Sequence, residues 1–322
     1  MTALTEAPPK ASAVLGEPKK KRNLLPYLLL APGVLWLVIF FLIPIFTAVS
    51  ASIQTGSLDM GFKVTWNWAN YSSTFSTYNT EVVHSLIYSI ACTVICLALG
   101  YPLAYFIAFR GGRWKNLLMA LVIAPAFTSF LIRTIAWETI LSDHGTVVRI
   151  MTDLRLTNLM DHLGLITGNH VLNSPFSVVF GMVYNFLPFT VLPLYTSLEK
   201  IDPRLHEAGR DLYCSGYRTW RYVTWPLSLP GVIAGTLLTF IPAVGDYVNA
   251  YMLGSPNTQV IGQVIENEAL RDVFGYPIAS AMGVILTFGT LAIVRIRKLV
   301  KAGAITRAIS RFFHRPPRKA MK

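Results

Sequence analysis

Six long apolar runs separated by polar stretches organise this chain. A helix needs about 20 apolar residues to cross the hydrocarbon of a bilayer. The runs Leu24–Ser50, Val82–Phe109, Leu117–Ile140, Val171–Leu198, Val223–Gly245 and Val273–Val294 all reach that length, the third interrupted by Arg133 and Glu138. Pro44, Pro102, Pro125, Pro188, Pro193 and Pro242 fall inside runs. Neighbouring helices and Ser/Thr side chains can satisfy the backbone groups that a proline frees within a membrane bundle. The first run carries no charge from Asn23 to Leu58. It exceeds the roughly 7–15 apolar residues of a signal peptide, which makes it a retained span. The pattern predicts an all-α, polytopic membrane protein with six transmembrane helices.

Composition agrees with this pattern. Apolar residues make up 53% and charged residues 14% of the 322, and the mean hydropathy is +0.49, too apolar for a soluble domain of this size. A net charge of +12 raises nucleic acid as a partner. No separate basic domain with interleaved aromatics exists to bind it, so nucleic acid is excluded. The basic residues cluster instead on one side of the spans. Of 28 lysines and arginines, 23 lie in segment 1–23, in the 110–115 loop, in the 199–226 loop and from Arg295 onward. The positive-inside rule then puts both termini and the charged loop in the cytoplasm. Segments 1–23 and 300–322 read as cytoplasmic basic tails around a six-helix membrane domain, 24–299, and the second tail is placed to lie on anionic lipid.

The 199–226 loop holds nine of the 44 formally charged residues. Asp202 before Pro203 predicts a helix start, with Asp202 as the cap. Glu207 and Asp211 stand one turn apart, as do Ala208 and Leu212, giving a short amphipathic helix. Gly216 offers a stop, and Tyr217–Val223 a second short helix ending before Pro226. A charged helix–turn–helix between two spans suits docking of a partner.

Signals for catalysis are missing from the sequence. It contains no phosphate-binding Gly-x-x-x-x-Gly-Lys-Ser/Thr loop, no Gly-x-Ser-x-Gly elbow and no His-Glu-x-x-His. The spacing of His144, His162 and His170 does not match metal ligation, and the cysteines Cys92, Cys96 and Cys214 suit neither a disulfide framework nor a structural zinc site. Three charges lie in or at the edge of spans: Arg133, Glu138 and Asp246. Charge at membrane depth costs about 2.5–3.5 kcal/mol on insertion scales and usually faces a bundle interior or cavity. Three readings stand: Arg133 paired with Asp246 or Glu138, a cation path at Asp246 or Glu138 flanked by Trp137 and Tyr247, or helix ends at the interface. Acidic residues are concentrated on the side opposite the charged loop, either as a field for a cationic solute or as a by-product of lysine and arginine depletion there.

The loop resembles the Glu-Ala-Ala motif of type I ABC importer permeases, the inner-membrane subunits of binding-protein-dependent uptake systems. The motif reads Glu-Ala-Ala, three residues, Gly, then nine residues before Ile-x-Leu-Pro. Here it stands as Glu207-Ala208-Gly209, Arg210-Asp211-Leu212, Tyr213 and Val223-Thr224-Trp225-Pro226, with Gly209, Tyr213 and Trp225 departing from it. Gly100-Tyr-Pro-Leu-Ala-Tyr105, the stretch from Thr128 to Trp137, Gly245-Asp-Tyr-Val-Asn249 and Ile261-Gly-Gln-Val-Ile265 are similar to the spermidine/putrescine branch of that family.

The resemblance implies half of a transmembrane pore in a bacterial inner membrane. Its partners would be a second permease subunit, a cytoplasmic ATP-binding subunit dimer, an extracytoplasmic solute-binding protein and a small cationic solute. No cofactor is expected in this chain, with ATP and magnesium belonging to the ATPase. Glu207, Ala208, Arg210 and Asp211 would form the docking surface, while Gly209 and Tyr213 occupy motif positions with changed residues. Tyrosine disfavours positive φ, so the inter-helix turn is expected to move to Gly216. The competing readings are a permease for another small solute, a stand-alone carrier using Arg133, Glu138 and Asp246 as an ion relay, and a membrane scaffold.

Overall fold

A computed structural model describes residues 25–57, 61–162, 164–166, 170–270, 275–292 and 295. The expected tails 1–23 and 300–322 lie outside the described residues, as do Asp59, Arg271 and Asp272. The chain divides into two units, residues 1–47 and 48–322. In the first, α1 (Leu25–Leu37) passes through a π turn, Val38–Leu42, into α2 (Ile43–Ser52), which ends in the second unit. Large side chains such as Leu29 and Phe46 are exposed, as suits a helix in lipid.

The second unit opens with an antiparallel hairpin, β1 (Gln54–Ser57) and β2 (Gly61–Val64), with Gln54 opposite Val64 and Ser57 opposite Gly61. The helix α3 (Ala69–Thr77) follows, held by the Asn70 amide, which donates to the Ser52 and Gln54 carbonyls at 2.9 and 3.0 Å. The long spans α4 (Asn79–Arg110), α9 (Pro175–Glu199) and α12 (Trp225–Val244) pack on one another and form the centre of the bundle. Small residues let them approach closely, as expected where lipid supplies no hydrophobic drive between helices. A Cβ on Gly231 of α12 would lie 2.6 Å from the Pro193 carbonyl of α9. Buried hydroxyls complete the seam: Thr190 meets Thr239, and Tyr101 meets Ser228 at 3.0 Å. Ser174 caps α9 in a reciprocal box with Ser177, and Pro175 stands in the first turn, where its missing N–H costs nothing.

Between α4 and α9 lie α5 (Lys115–Ile123), α6 (Phe130–Leu141), α7 (Thr146–Asp153) and α8 (Leu156–His162). The third apolar run is therefore not one helix. Gly112–Phe127 and Phe130–Leu141 meet at 91°, because Pro125 turns the end of α5 into a 3₁₀ segment and Thr128 is extended. After α9 come α10 (Arg204–Asp211) and α11 (Gly216–Thr219), then a π turn, Trp220–Thr224, leading into α12. The chain ends its described course with α13 (Val248–Leu253), α14 (Ile261–Leu270) and α15 (Tyr276–Ala292). Among the described residues four helices are long and apolar enough to cross a membrane, or five if the bent pair is one span. The sixth run appears as the shorter α15, which Gly275 precedes as a turn, and 273, 274, 293 and 294 lie outside the described residues.

Candidate functional site

The charged loop folds as a tight helical pair at one end of the bundle. Asp202 accepts from the Arg204 N–H at 2.9 Å, so it caps the first turn as expected, although the helix proper begins at Arg204. Glu207, Ala208, Arg210 and Asp211 are exposed, whereas His206 and Gly209 turn inward. His206 shares a 3.0 Å hydrogen bond with Thr224 of the π turn, and its ring stands edge-on to Phe109 of α4 at 4.8 Å. Gly209 faces Thr219 of α11, where a Cβ would meet Oγ1 at 3.0 Å and Cγ2 at 3.3 Å. The changed motif position is thus matched by a close helix contact.

The turn between α10 and α11 corrects two sequence expectations. It is made at Tyr213, with φ 54°, and not at Gly216. The Tyr213 N–H donates to the Arg210 carbonyl at 2.9 Å and the Cys214 N–H to the Gly209 carbonyl at 3.0 Å. This pair of bonds defines a Schellman end with tyrosine at the left-handed position. Gly216 opens the next helix, which Ser215 caps through the Arg218 N–H. The expected second short helix does not stop before Pro226 either. From Gly216 to Val244 the chain is one helix of 29 residues, and the π turn just ahead of Pro226 takes up the break that proline makes in the helical hydrogen-bond ladder. Beside the pair, Lys115 of α5 bonds Glu199 at the end of α9 at 2.7 Å.

The intramembrane charges gather differently from the pairing considered above. Among the described residues Arg133 forms no ion pair with Asp246 or Glu138. It lies over the Phe130 ring at 5.7 Å, and its Nε and Nη1 have no hydrogen-bond partner among the described residues. Asp246 is spent locally: its Oδ1 accepts from the Val248 and Asn249 N–H groups at 3.1 and 3.3 Å, and its Oδ2 accepts from the Asn249 amide. Asn249 in turn accepts from the Asn185 amide at 3.2 Å and from Thr134 at 3.4 Å. This chain joins α6, α9 and the α12–α13 connection in a buried polar cluster. Asn185, Asn249 and Thr134 were not among the expected site residues. An amide such as Asn185 alone in an apolar span is a signal in itself, because it must find a partner there. Trp137 packs edge-on against Phe180 at 4.7 Å and Tyr184 at 5.1 Å. Tyr247 is exposed, and Glu138 is half-buried. Among the described residues no group of three His, Cys, Asp or Glu is arranged to hold a metal.

Residues 100–304 match the family described as the binding-protein-dependent transport system inner membrane component. The chain belongs to this family. The permease is 36% identical over 255 residues to the spermidine/putrescine transport system permease protein PotB of Haemophilus influenzae, covering 78% of this chain and 85% of that protein. It is 35% identical to PotB of Escherichia coli K12 over 254 residues, covering 78% and 89%. Its fold is like a chain of a bacterial ABC transporter that imports the acidic polysaccharide alginate, with a TM-score of 0.62 and 19% identity over 90% of the permease and 97% of that chain. That likeness shows the fold alone. The match includes the whole α10–α11 pair and the buried cluster from Thr134 to Asn249.

Proposed function

We propose that this permease is one membrane subunit of an ATP-driven importer of polyamines such as spermidine or putrescine, taking the solute into the cytoplasm by alternating access. The observation that carries the reading is the likeness to the two PotB proteins, which spans most of their length and of this chain. The α10–α11 pair is cytoplasmic in this reading, as are both termini, because the lysines and arginines gather at that end. A cytoplasmic ATP-binding dimer, holding ATP and magnesium, docks on the exposed Glu207, Ala208, Arg210 and Asp211. Hydrolysis belongs to that dimer, and the permease performs no chemistry.

The geometry supports a transmission role. α10 touches the spans through His206, which meets both Phe109 of α4 and Thr224 of the helix that becomes α12. A push on the outer face of α10 therefore reaches two central helices through one side chain. A second permease subunit completes the pore, and an extracytoplasmic binding protein delivers the solute to the opposite end. Asp246, with its buried carboxylate, is the proposed cation contact on the path, and Glu138 and Tyr247 stand near that end of the spans. The test is ATP-dependent uptake of spermidine by proteoliposomes holding all the subunits. Glu207→Lys is expected to abolish uptake while the permease remains assembled, because it reverses a charge on the docking face. Undiminished uptake would remove α10 from the coupling path.

A further inference from the structure

We propose that Tyr213 is an aromatic anchor that inserts into the ATP-binding subunit. This inference rests on the importer reading above. Three observations at this residue combine. First, its backbone is left-handed, at φ 54°, a conformation that glycine adopts freely and tyrosine resists. Second, the two Schellman bonds at Arg210 and Gly209 need only the backbone, so the ring does not help to close the turn. Third, the ring makes no use of the permease itself, since Tyr213 is 97% exposed and its neighbour Leu212 is 77% exposed. A side chain that opposes its own backbone and packs on nothing among the described residues gains from a contact supplied by another molecule. Tyrosine is among the residues that dominate such contacts, because a large rigid ring is ordered at little entropic cost.

The ATP-binding subunit is favoured over lipid as that other molecule. Tyr213 lies two residues past Asp211, at the end of the exposed face of α10. It also continues the α10 surface assigned above to the ATPase, so one partner covers both. Arg210 beside it adds a charge that can pair with acidic groups around a receiving pocket.

The experiment uses the permease pair in nanodiscs and the purified ATP-binding subunit of the same transporter, comparing wild type with Tyr213→Gly and Tyr213→Phe. The glycine variant removes the ring and frees the backbone. The phenylalanine variant keeps the ring and the backbone conflict. Tyr213→Gly is expected to leave the thermal midpoint of the permease pair unchanged or higher and to weaken ATPase binding at least about thirtyfold, the scale of an interface hot spot. Tyr213→Phe is expected to bind within about threefold of wild type, the ring being retained. Binding of Tyr213→Gly as tight as wild type overturns the proposal, as does a fall in its permease stability, which would make the ring an internal prop. Unchanged ATPase binding with weaker association to anionic vesicles overturns it in favour of lipid. If the wild-type permease pair itself binds no ATP-binding subunit, the importer reading fails before the variants are compared.

Discussion

Gly209 and Thr219 show how a single methyl group decides the geometry of the α10–α11 pair. Alanine is the better helix former by about 0.8–1 kcal/mol, so Gly209→Ala would stabilise α10 if space allowed. The Cβ would meet Thr219 Oγ1 at 3.0 Å and Cγ2 at 3.3 Å, tighter than side chains normally pack. Gly209→Ala is therefore expected to lower the thermal midpoint alone and to raise it in a Thr219→Ala background. The coupling read from the double-mutant cycle should be at least about 0.5 kcal/mol, and a coupling near zero would show that Thr219 yields freely. Tyr213 displays the opposite kind of conflict, with about 1–2 kcal/mol of left-handed strain and no internal contact to offset it. The resemblance marked both residues as departures from the motif. Only the tertiary structure shows that one accommodates a neighbour and the other carries strain.

At the scale of elements, the π turn Trp220–Thr224 joins the α10–α11 pair to α12 and points Thr224 at His206. A π turn inserts an extra residue into an α-helix. Deleting Tyr222, whose side chain is exposed, would remove that extra residue, let the helix run as regular α and abolish the bulge that points Thr224 at His206. The permease is expected to insert and assemble, while ATP-dependent uptake falls at least about tenfold, the equivalent of one hydrogen bond of ordinary strength. Full uptake in the deletion variant would show that this register is not used in coupling. The run of apolar residues from Val223 to Gly245 made a span visible in the sequence. It did not show that the helix begins at Gly216, because Arg218 and Arg221 interrupt the hydrophobic pattern on the side facing water. The break between α5 and α6 was hidden for a related reason: apolar residues continue across Thr128 and Ser129, and periodicity does not record a change of direction.

For the whole molecule, the buried cluster binds three helical elements through Asp246, Asn249, Asn185 and Thr134, and two variants separate its possible roles. Asn249→Ala breaks the network and keeps the charge, at a cost of about 1–3 kcal/mol for the groups left unpaired. Asp246→Asn keeps the acceptor for the Val248 and Asn249 N–H groups and loses the charge. If Asp246 meets the cation, Asp246→Asn is expected to depress spermidine uptake far more than it depresses recovery of the assembled transporter, with Asn249→Ala doing the reverse. Parallel losses of uptake and assembly in both variants would make the cluster structural.

The sequence by itself determined that this is a multi-pass helical membrane protein whose basic residues gather at one end, and that no phosphate-binding loop accompanies its charged island. These properties follow from solvation, since long uncharged apolar runs and lysine and arginine placement respond to the bilayer residue by residue. Tertiary structure decided what depends on distance between remote positions. It left Arg133 without an ion pair among the described residues and gave Asp246 to Asn249, it bent the third run at 91°, and it set the inter-helix turn at Tyr213 in place of Gly216. Each outcome turns on which groups the packing of the helices brings within hydrogen-bonding reach, and a linear pattern of polarity carries no such information.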